Sequence, residues 1–286
     1  MRISTVKLEE YELAALNGDA GLVLMDTINK AEGKTWHTEL FDIIRLGELD
    51  DITEWYESGG KKKLADFPAL PYGEAEYGPL YRNPRKIWGI GMNYVKSEDE
   101  LAAADPADEP VSFMKPDTTL IGPLDAIRIP AGVGTITAEA ELGIVIGKAC
   151  KNITEVDYGD VIAGYVATID VTASDIHARN QRFLTRAKSF DTFFSLGSTL
   201  VTKEELPDLL GVHVGTALNG EVVHRNKLFN MKFRPDYAVS FHSKVMTLLP
   251  GDIIMTGTPG AVVIRDGDIV ECRMDGFEPL HNPVRE

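Results

Sequence analysis

Alternating and helically spaced hydrophobic residues divide the first part of the chain into a few short elements. RISTVKL and GLVLMD predict two short strands joined by a polar turn at residues 17–19. Helical spacing of apolar residues follows in TELFDIIRL and DDITEWYES. Prolines are then frequent between residues 67 and 84, which indicates an extended connection. These patterns predict a small N-terminal domain over residues 1–75 and a linker over residues 76–85.

From residue 86 the hydrophobic runs become short, rich in β-branched residues and separated by Gly, Pro, Asp or Asn. They are KIWGIG, SFMKP, AIRIP, ELGIVIG, VIAGYVATID, GVHVGTALNG, DIIMTGT, AVVIRD and DIVECRM. Such spacing is typical of a sheet-rich domain. Helical patterns are confined to 98–104, a piece within 173–187, and 235–248. The sequence therefore predicts an α+β, mainly β protein whose larger domain spans residues 86–286.

Composition excludes several classes of partner. The formal net charge is -15, so the surface repels nucleic acid and anionic membranes. No run approaches the roughly 18 apolar residues that cross a bilayer, and the first residues lack a secretory pattern. The two cysteines, Cys150 and Cys272, lie near apolar runs and are expected to be buried, reduced thiols. We expect a cytoplasmic protein, in which an anionic substrate meets a locally positive site.

Two acidic residues stand at the start of the strand-like run ELGIVIG. Glu139 and Glu141 are two positions apart, so on a strand their side chains project from the same face. Like charges at that spacing repel each other unless a cation lies between them. The alternative is a solvated pair at a strand edge, because acidic residues are mostly exposed.

A third acid, Asp170, ends the apolar run VIAGYVATID. A carboxylate at the end of a buried strand is costly unless it is paired or bound to a metal, although it can also cap the segment that follows. If Asp170 converges on the glutamate pair, the three carboxylates suit Mg²⁺, with about three octahedral positions left for water or substrate. No His or Cys lies close enough in sequence to favour zinc.

Two lysines and one loop are further candidates. Lys115 in FMKPDT and Lys188 in AKSFDTF are each flanked by apolar or small residues, so either can neutralise a substrate carboxylate or the excess of acids. The alternative for each lysine is an ordinary surface charge. In TGTPG, Gly257 and Thr258 end a strand and expose backbone N–H groups that suit an anion or a carbonyl. A plain turn explains that segment equally well.

Taken together, these segments resemble the fumarylacetoacetate hydrolase family. The matching segments are GIGMNY, FMKPDTTLIGP, EAELGIVIGKACKNIT, GYVATIDVTASD, AKSFDTF, LNGE and LLPGDIIMTGTPG, in the family's order. The resemblance implies a mixed β-sandwich roll with a small N-terminal domain, usually as a homodimer. It implies Mg²⁺ or Mn²⁺ on Glu139, Glu141 and Asp170, with Lys188 beside the metal and Lys115 and Thr258 in contact with substrate.

The resemblance also implies a range of activities: C–C hydrolysis of acylpyruvates and 2,4-dioxo acids, decarboxylation of oxaloacetate, and isomerase or hydratase steps. In all of them a metal chelates the 2-oxo acid and stabilises an enolate while a neighbouring bond changes. The leading hypothesis is a metal-dependent hydrolase or lyase that cleaves a C–C bond in a small 2-oxo or 2,4-dioxo acid.

Three positions depart from the family pattern. Ser97 stands where family hydrolases commonly place a water-activating His, whereas Glu100 matches the accompanying Glu. Ser174 replaces a usual Arg, and His177 replaces a usual Gln. Because a Ser hydroxyl is no base at neutral pH without help, Glu100 and His177 become the candidate bases. The alternatives are an oxaloacetate-type decarboxylase, an isomerase or hydratase, or a divergent member that only binds metal and a 2-oxo acid.

Overall fold

The computed structural model describes all 286 residues of the sequence. The chain opens with three strands and a group of short helices. These elements are β1 (Arg2–Leu8), β2 (Tyr11–Gly18), β3 (Gly21–Leu24), α1 (Met25–Glu32), α2 (Leu40–Arg45), α3 (Glu48–Trp55), a π-helical turn (Tyr56–Gly60), α4 (Lys61–Lys63) and β4 (Glu76–Tyr77). The predicted strands form β1 and β3, but YELAALNG forms an additional strand, β2. Its Ala and Leu residues do not favour a strand; pairing with β1 on one side and β3 on the other overrides that preference.

From residue 87 strands alternate with short helices. They are β5 (Ile87–Gly91), α5 (Glu98–Ala102), β6 (Val111–Lys115), β7 (Leu120–Ile121), β8 (Ile127–Arg128), β9 (Ile136–Ile146), α6 (Tyr158–Val161), β10 (Ile162–Ala173), α7 (Ser174–Arg179), α8 (Leu184–Lys188), β11 (Phe194–Leu196), β12 (Thr199–Val201), β13 (His213–Leu218), β14 (Glu221–Lys227), α9 (Pro235–Val245), β15 (Ile253–Met255), β16 (Ala261–Ile264), β17 (Ile269–Met274) and β18 (Leu280–Arg285). The mainly β class is confirmed, and each of the three predicted helical regions contains a helix.

Two sheets organise the molecule. The larger has 13 strands and runs in the order β3-β2-β1-β12-β10-β9-β15-β5-β6, with β4, β7, β11 and β16 attached at its sides. The smaller has five strands in the order β14-β13-β17-β18-β8. The long antiparallel pair of β9 and β10 lies at the centre of the larger sheet.

Both faces of β9 are covered. Ala138, Ala140, Leu142 and Ile144 belong to a hydrophobic cluster that includes residues of the five-stranded sheet. Val145, on the opposite face, belongs to a second cluster with residues of the N-terminal strands. Glu139 and Glu141 share the face of Val145 by the period of two along a strand. The two acids therefore project from a strand that is enclosed on both sides.

The first 75 residues are joined to the rest of the chain by hydrogen bonds and by packing. β1 pairs with β12, with Arg2 opposite Val201, and Ile3 shares a hydrophobic cluster with Val166 and Ile253. The boundary predicted at residue 75 thus crosses a continuous sheet and core, and independent folding of residues 1–75 stays a prediction. Cys150 and Cys272 are buried free thiols, as predicted. None of the helices combines the length and apolar character that a membrane crossing requires.

The junction between β10 and β12 supports a prediction about stability. Gly164 has a φ of +154°, and a Cβ on it would lie 2.4 Å from the carbonyl oxygen of Val201. Gly164→Ala is expected to lower the free energy of unfolding by about 2–4 kcal/mol, because either the backbone is strained or β12 must move. Urea unfolding followed by circular dichroism measures the loss. Gly220→Ala is the matched control: its φ is +86° but no atom lies within 4 Å, so about 1 kcal/mol is expected. Equal losses of unfolding free energy in the two variants would show that the carbonyl oxygen of Val201 does not exclude a side chain at residue 164.

Candidate metal centre

Three carboxylates meet at the middle of the larger sheet. Glu139 and Glu141 are two residues apart on β9, and Asp170 lies directly opposite Glu139 on the antiparallel strand β10. One ligand oxygen from each of the three lies within 4.8 Å of the others. Strand pairing thus brings together acids that are 29 or more residues apart in the sequence, as the sequence analysis expects.

These carboxylates are enclosed to different degrees. Asp170 is fully buried, Glu141 is 2% exposed, and the Glu139 side chain is 19% exposed. Burial, together with the negative charges of Asp170 and Glu139, raises the pKa of Glu141 well above its ordinary value. The one hydrogen bond that Glu141 receives is donated to its Oε2 by the backbone N–H of Gly257, at 2.6 Å. Glu141 therefore has little compensation for a buried charge.

The backbone at residue 257 is shaped for that hydrogen bond. Gly257 has a φ of +90°, and a Cβ there would lie 2.8 Å from the Cβ of Asn93 and 3.0 Å from the carbonyl oxygen of Ile90. The Asn93 side chain amide in turn donates to the carbonyl of Thr256, at 2.7 Å. The segment GIGMNY and the strand end TGTPG thus lock together, which fixes the N–H of Gly257 beside Glu141.

Lys115 supports the carboxylates from inside the protein. Its ammonium donates hydrogen bonds to the carbonyl oxygens of Val171, at 3.1 Å, Phe193, at 2.8 Å, and Lys188. The same nitrogen lies 2.8 Å from Asp170 Oδ1. Since the three N–H donors are directed at carbonyls, Oδ1 has an ionic contact but no hydrogen bond. Burial lowers the pKa of Lys115 to about 8, against the opposing effect of Asp170.

Lys188 bridges two of the carboxylates. Its ammonium lies 2.9 Å from Glu139 Oε2 and also contacts Asp170 Oδ2, and it sits 4.7 Å from the centre of the Phe113 ring. Burial opposes the charge of Lys188, but the charges of Asp170 and Glu139 outweigh it and raise the pKa of Lys188. Lys188 therefore stays protonated at neutral pH, beside the acids.

The residues fit a hard divalent cation. When all five groups are ionised, three carboxylates and two ammonium groups leave one net negative charge in a largely buried cluster. Asp170 Oδ1 lacks a hydrogen bond, and Glu141 receives just one. All the donors are oxygens, which Mg²⁺ and Mn²⁺ prefer over softer metals. A bound divalent ion would reverse the sign of the excess charge and leave the site attractive to an anion.

The other predicted site residues lie at different distances from this cluster. Gly257 contacts Glu141 directly, and Thr258 follows it, half-buried, with a hydroxyl that both donates to and accepts from Gly260 at 3.2 Å. Lys115 lies beneath Asp170 with no exposed side-chain surface. Its predicted contact with substrate stays a prediction. In this arrangement Lys115 holds the carboxylate of Asp170 in position.

The candidate bases do not contact the carboxylates. Ser97 is the N-cap of α5, and its hydroxyl accepts a hydrogen bond from the backbone N–H of Glu100. The Glu100 carboxylate in turn accepts from the backbone N–H of Lys96, at 2.8 Å. The two residues therefore form a helix cap. His177 lies in the last turn of α7, half-exposed and without a hydrogen-bond partner. The roles of Glu100 and His177 remain predictions.

Two further residues, Thr172 and Phe113, contact the cluster and are not predicted from the sequence. The hydroxyl of Thr172 donates to Glu139 Oε2, at 3.1 Å, and Phe113 lies under the ammonium of Lys188. Thr172 could have been found, because it is two residues beyond Asp170 and a strand places such positions on one face. Phe113 gives no signal of this kind, since an aromatic residue in an apolar strand is ordinary.

The comparisons with known proteins agree with this geometry. Residues 86–285 match the family described as fumarylacetoacetate (FAA) hydrolase C-terminal. The matched region is well over half of the chain and contains all three carboxylates and both lysines. The chain belongs to the fumarylacetoacetate hydrolase family. The resemblance drawn from the sequence motifs is thereby confirmed, and residues 1–85 lie outside the matched region of the family.

Similar members of the fumarylacetoacetate hydrolase family differ in activity. The chain is 31% identical over 286 residues to the mitochondrial oxaloacetate tautomerase Fahd2a of Rattus norvegicus, with 97% of this chain and 88% of the relative covered. The 5-carboxymethyl-2-hydroxymuconate delta-isomerase of Mycobacterium smegmatis is 29% identical, with a TM-score of 0.78 and 100% and 98% covered. Maleylpyruvate hydrolase of Sphingobium sp. SYK-6, solved with manganese (II) ion and pyruvate, has a TM-score of 0.79 at 23% identity, with 100% and 99% covered, a likeness of fold alone.

Proposed function

We propose that this chain is a divalent-metal-dependent enzyme that interconverts the keto and enol forms of a small 2-oxo acid of the oxaloacetate class. The observation that carries the proposal is the group of three converging carboxylates, of which Glu141 is buried with a single hydrogen bond. Such a group is stable when a cation completes it. A relative that is 31% identical and matched over 97% of this chain is an oxaloacetate tautomerase, which favours this reaction among those of the family.

Glu139, Glu141 and Asp170 would hold Mg²⁺ or Mn²⁺, which when bound supplies a Lewis acid for the 2-oxo and carboxylate oxygens of the substrate. The chain's own residues supply the rest. Lys188 stays protonated and adds a fixed positive charge where negative charge develops on the substrate. The His177 side chain makes no hydrogen bond and is the candidate to accept the proton from the carbon next to the oxo group. The N–H of Gly257 orients Glu141.

Tautomerisation suits this site better than hydrolysis. Hydrolysis of a C–C bond requires a base that activates water, and the position of the usual His is occupied by Ser97, which caps α5. Glu100 accepts a hydrogen bond from the backbone within the same turn. Keto–enol interconversion needs an electrophile and one proton carrier, and no activated water. The C–C hydrolase of the leading sequence hypothesis therefore becomes the second candidate, together with oxaloacetate decarboxylation.

The proposal is tested by assaying the metal-loaded protein against oxaloacetate. Disappearance of the enol absorbance is expected to be at least about 100-fold faster with Mg²⁺ or Mn²⁺ than after chelation, because Lewis-acid assistance contributes several kcal/mol. Hydrolysis of acylpyruvate and release of CO₂ from oxaloacetate are measured in parallel. Faster cleavage of acylpyruvate than tautomerisation of oxaloacetate would overturn the proposal in favour of a hydrolase. Metal binding with no turnover of any of these acids would favour the divergent, binding-only alternative.

We propose a cytoplasmic location, which the two reduced, buried cysteines support, and a small-molecule substrate rather than nucleic acid or membrane, which the net charge of -15 supports. We also propose a homodimer on the basis of the family. Measurement of the solution mass by light scattering tests the last of these directly.

A further inference from the structure

One segment of this acidic protein is strongly basic. Residues 174–188 contain one acid, Asp175, and four Arg or Lys residues, Arg179, Arg182, Arg186 and Lys188, whereas the whole chain carries a net charge of -15. Lys188 is buried among the carboxylates, but the three arginines are exposed. The segment is therefore a positive strip on a negative surface.

The exposed arginines have no acidic partner. Five other arginines of the chain form ion pairs with carboxylates, and none of those pairs involves Arg179, Arg182 or Arg186. Asp175 accepts a hydrogen bond from the backbone N–H of Thr135, at 3.1 Å. Five further arginines of the chain also lack an ion pair, but they are scattered along the sequence, whereas Arg179, Arg182 and Arg186 lie within eight consecutive residues. Their charges remain available to an anion from solution.

The segment begins and ends at the metal centre. α7 starts four residues after Asp170, and its first residue, Ser174, contacts Thr137 of β9 through their hydroxyls, at 2.8 Å. α8 ends at Lys188, which binds Glu139. Between the two helices, a 3₁₀ turn at Gln181–Phe183 is capped by the side chain of Asn180. The arginine-bearing loop is thus held at both ends beside the carboxylates.

We infer that Arg179 and Arg182 determine specificity for a dianionic substrate by interacting with its second carboxylate, the one distant from the oxo group. This inference rests on the proposed function, because it takes the carboxylates to hold the 2-oxo acid end of the substrate. Arg179 and Arg182 are the exposed positive charges between the two ends of the segment, which are held at Thr137 and Glu139. A monoanionic 2-oxo acid has no second carboxylate with which these guanidinium groups could interact.

The double variant Arg179→Gln, Arg182→Gln tests the inference. Arg186 is left unchanged, because it is two residues from Lys188. Dissociation constants of Mg²⁺-loaded protein are measured by calorimetry for oxaloacetate, a dianion, and pyruvate, a monoanion. The Kd for oxaloacetate is expected to rise about tenfold, equivalent to two partly exposed ion pairs, while the Kd for pyruvate changes less than about twofold. The salt dependence of oxaloacetate binding should also weaken.

The control is Lys62→Gln, Arg85→Gln, which removes two exposed positive charges outside the matched family region. It is expected to leave both constants unchanged. Equal weakening of oxaloacetate and pyruvate by the arginine variant, or an unchanged Kd for oxaloacetate, would overturn the inference. If the wild type binds oxaloacetate more tightly than pyruvate and the arginine variant loses that preference, the inference stands even where no turnover is seen. The absence of turnover would count against the proposed function alone.

Discussion

Replacing Glu141 with Gln is expected to stabilise the metal-free protein and to remove most of the stabilisation that bound metal provides. Without metal, the variant should be more stable than the wild type by about 1–3 kcal/mol, because it removes a buried carboxylate that is poorly compensated. Gln keeps the size of the side chain, and its Oε1 can still accept the N–H of Gly257. With metal, the advantage should disappear, because one of three ligands is lost.

The size of the metal effect follows from binding linkage. At a metal concentration of 100 times Kd, the wild type gains about 2.7 kcal/mol. If the substitution weakens metal binding about 100-fold, the same concentration contributes only about 0.4 kcal/mol. Differential scanning calorimetry with Mg²⁺ and with chelator measures both values. Metal-dependent tautomerisation should fall by at least about 100-fold in the same variant.

Glu221→Gln provides the matched control for this prediction. Glu221 is an exposed residue at the start of β14 with no ion pair, so the substitution makes the same change in charge without touching the site. Its melting temperature should respond to metal as that of the wild type does. If Glu141→Gln kept the full metal-induced stabilisation, the three carboxylates would not be the metal ligands. The proposed metal-dependent reaction would then have no metal site.

The sequence carries much of the information about this site. Two acids at i and i+2 on a strand-like run must share a face, and the structure places Glu139 and Glu141 in that way. The convergence of Asp170 is different in kind, because only the antiparallel register of β9 and β10 puts it opposite Glu139. Local patterning does not determine register. The resemblance to the family, rather than any local pattern, predicts that Asp170 joins the two glutamates.

Other features depend on tertiary contacts that local patterns do not encode. β2 has the composition of a helix, and it is a strand because it is paired on both sides. Lys115 resembles any lysine in an apolar strand, yet three backbone carbonyls and Asp170 surround its ammonium. Ser97 and Glu100 resemble remnants of a catalytic pair, whereas the structure uses them to cap α5. For β2 and Lys115, the deciding partners are distant in sequence. For Ser97 and Glu100, the hydrogen bonds of the helix cap decide.

Lys115→Met is expected to be the most destabilising substitution at this site. It removes an ammonium that is wholly buried, so that Asp170 keeps only Lys188 as an ionic partner and the carbonyls of Val171 and Phe193 lose their donor. Breaking a buried ion pair from one side costs about 3–5 kcal/mol, because the remaining charge is uncompensated. Urea unfolding of the metal-free protein measures the loss. Lys148→Met is the control: its pair with Asp50 is 2.7 Å long but 54% and 66% exposed, so a change below about 0.5 kcal/mol is expected.

A second substitution separates the loss of the ion pair from the loss of packing. Asp170→Asn, introduced together with Lys115→Met, removes the carboxylate charge that has lost its Lys115 partner, so the double variant should recover about 1–3 kcal/mol. If most of the loss instead came from cavity or strain effects around the new Met, the double variant would be less stable than Lys115→Met. Recovery would show that the lysine stabilises the fold mainly by holding the charge of Asp170, which fixes the position of that carboxylate before any metal binds.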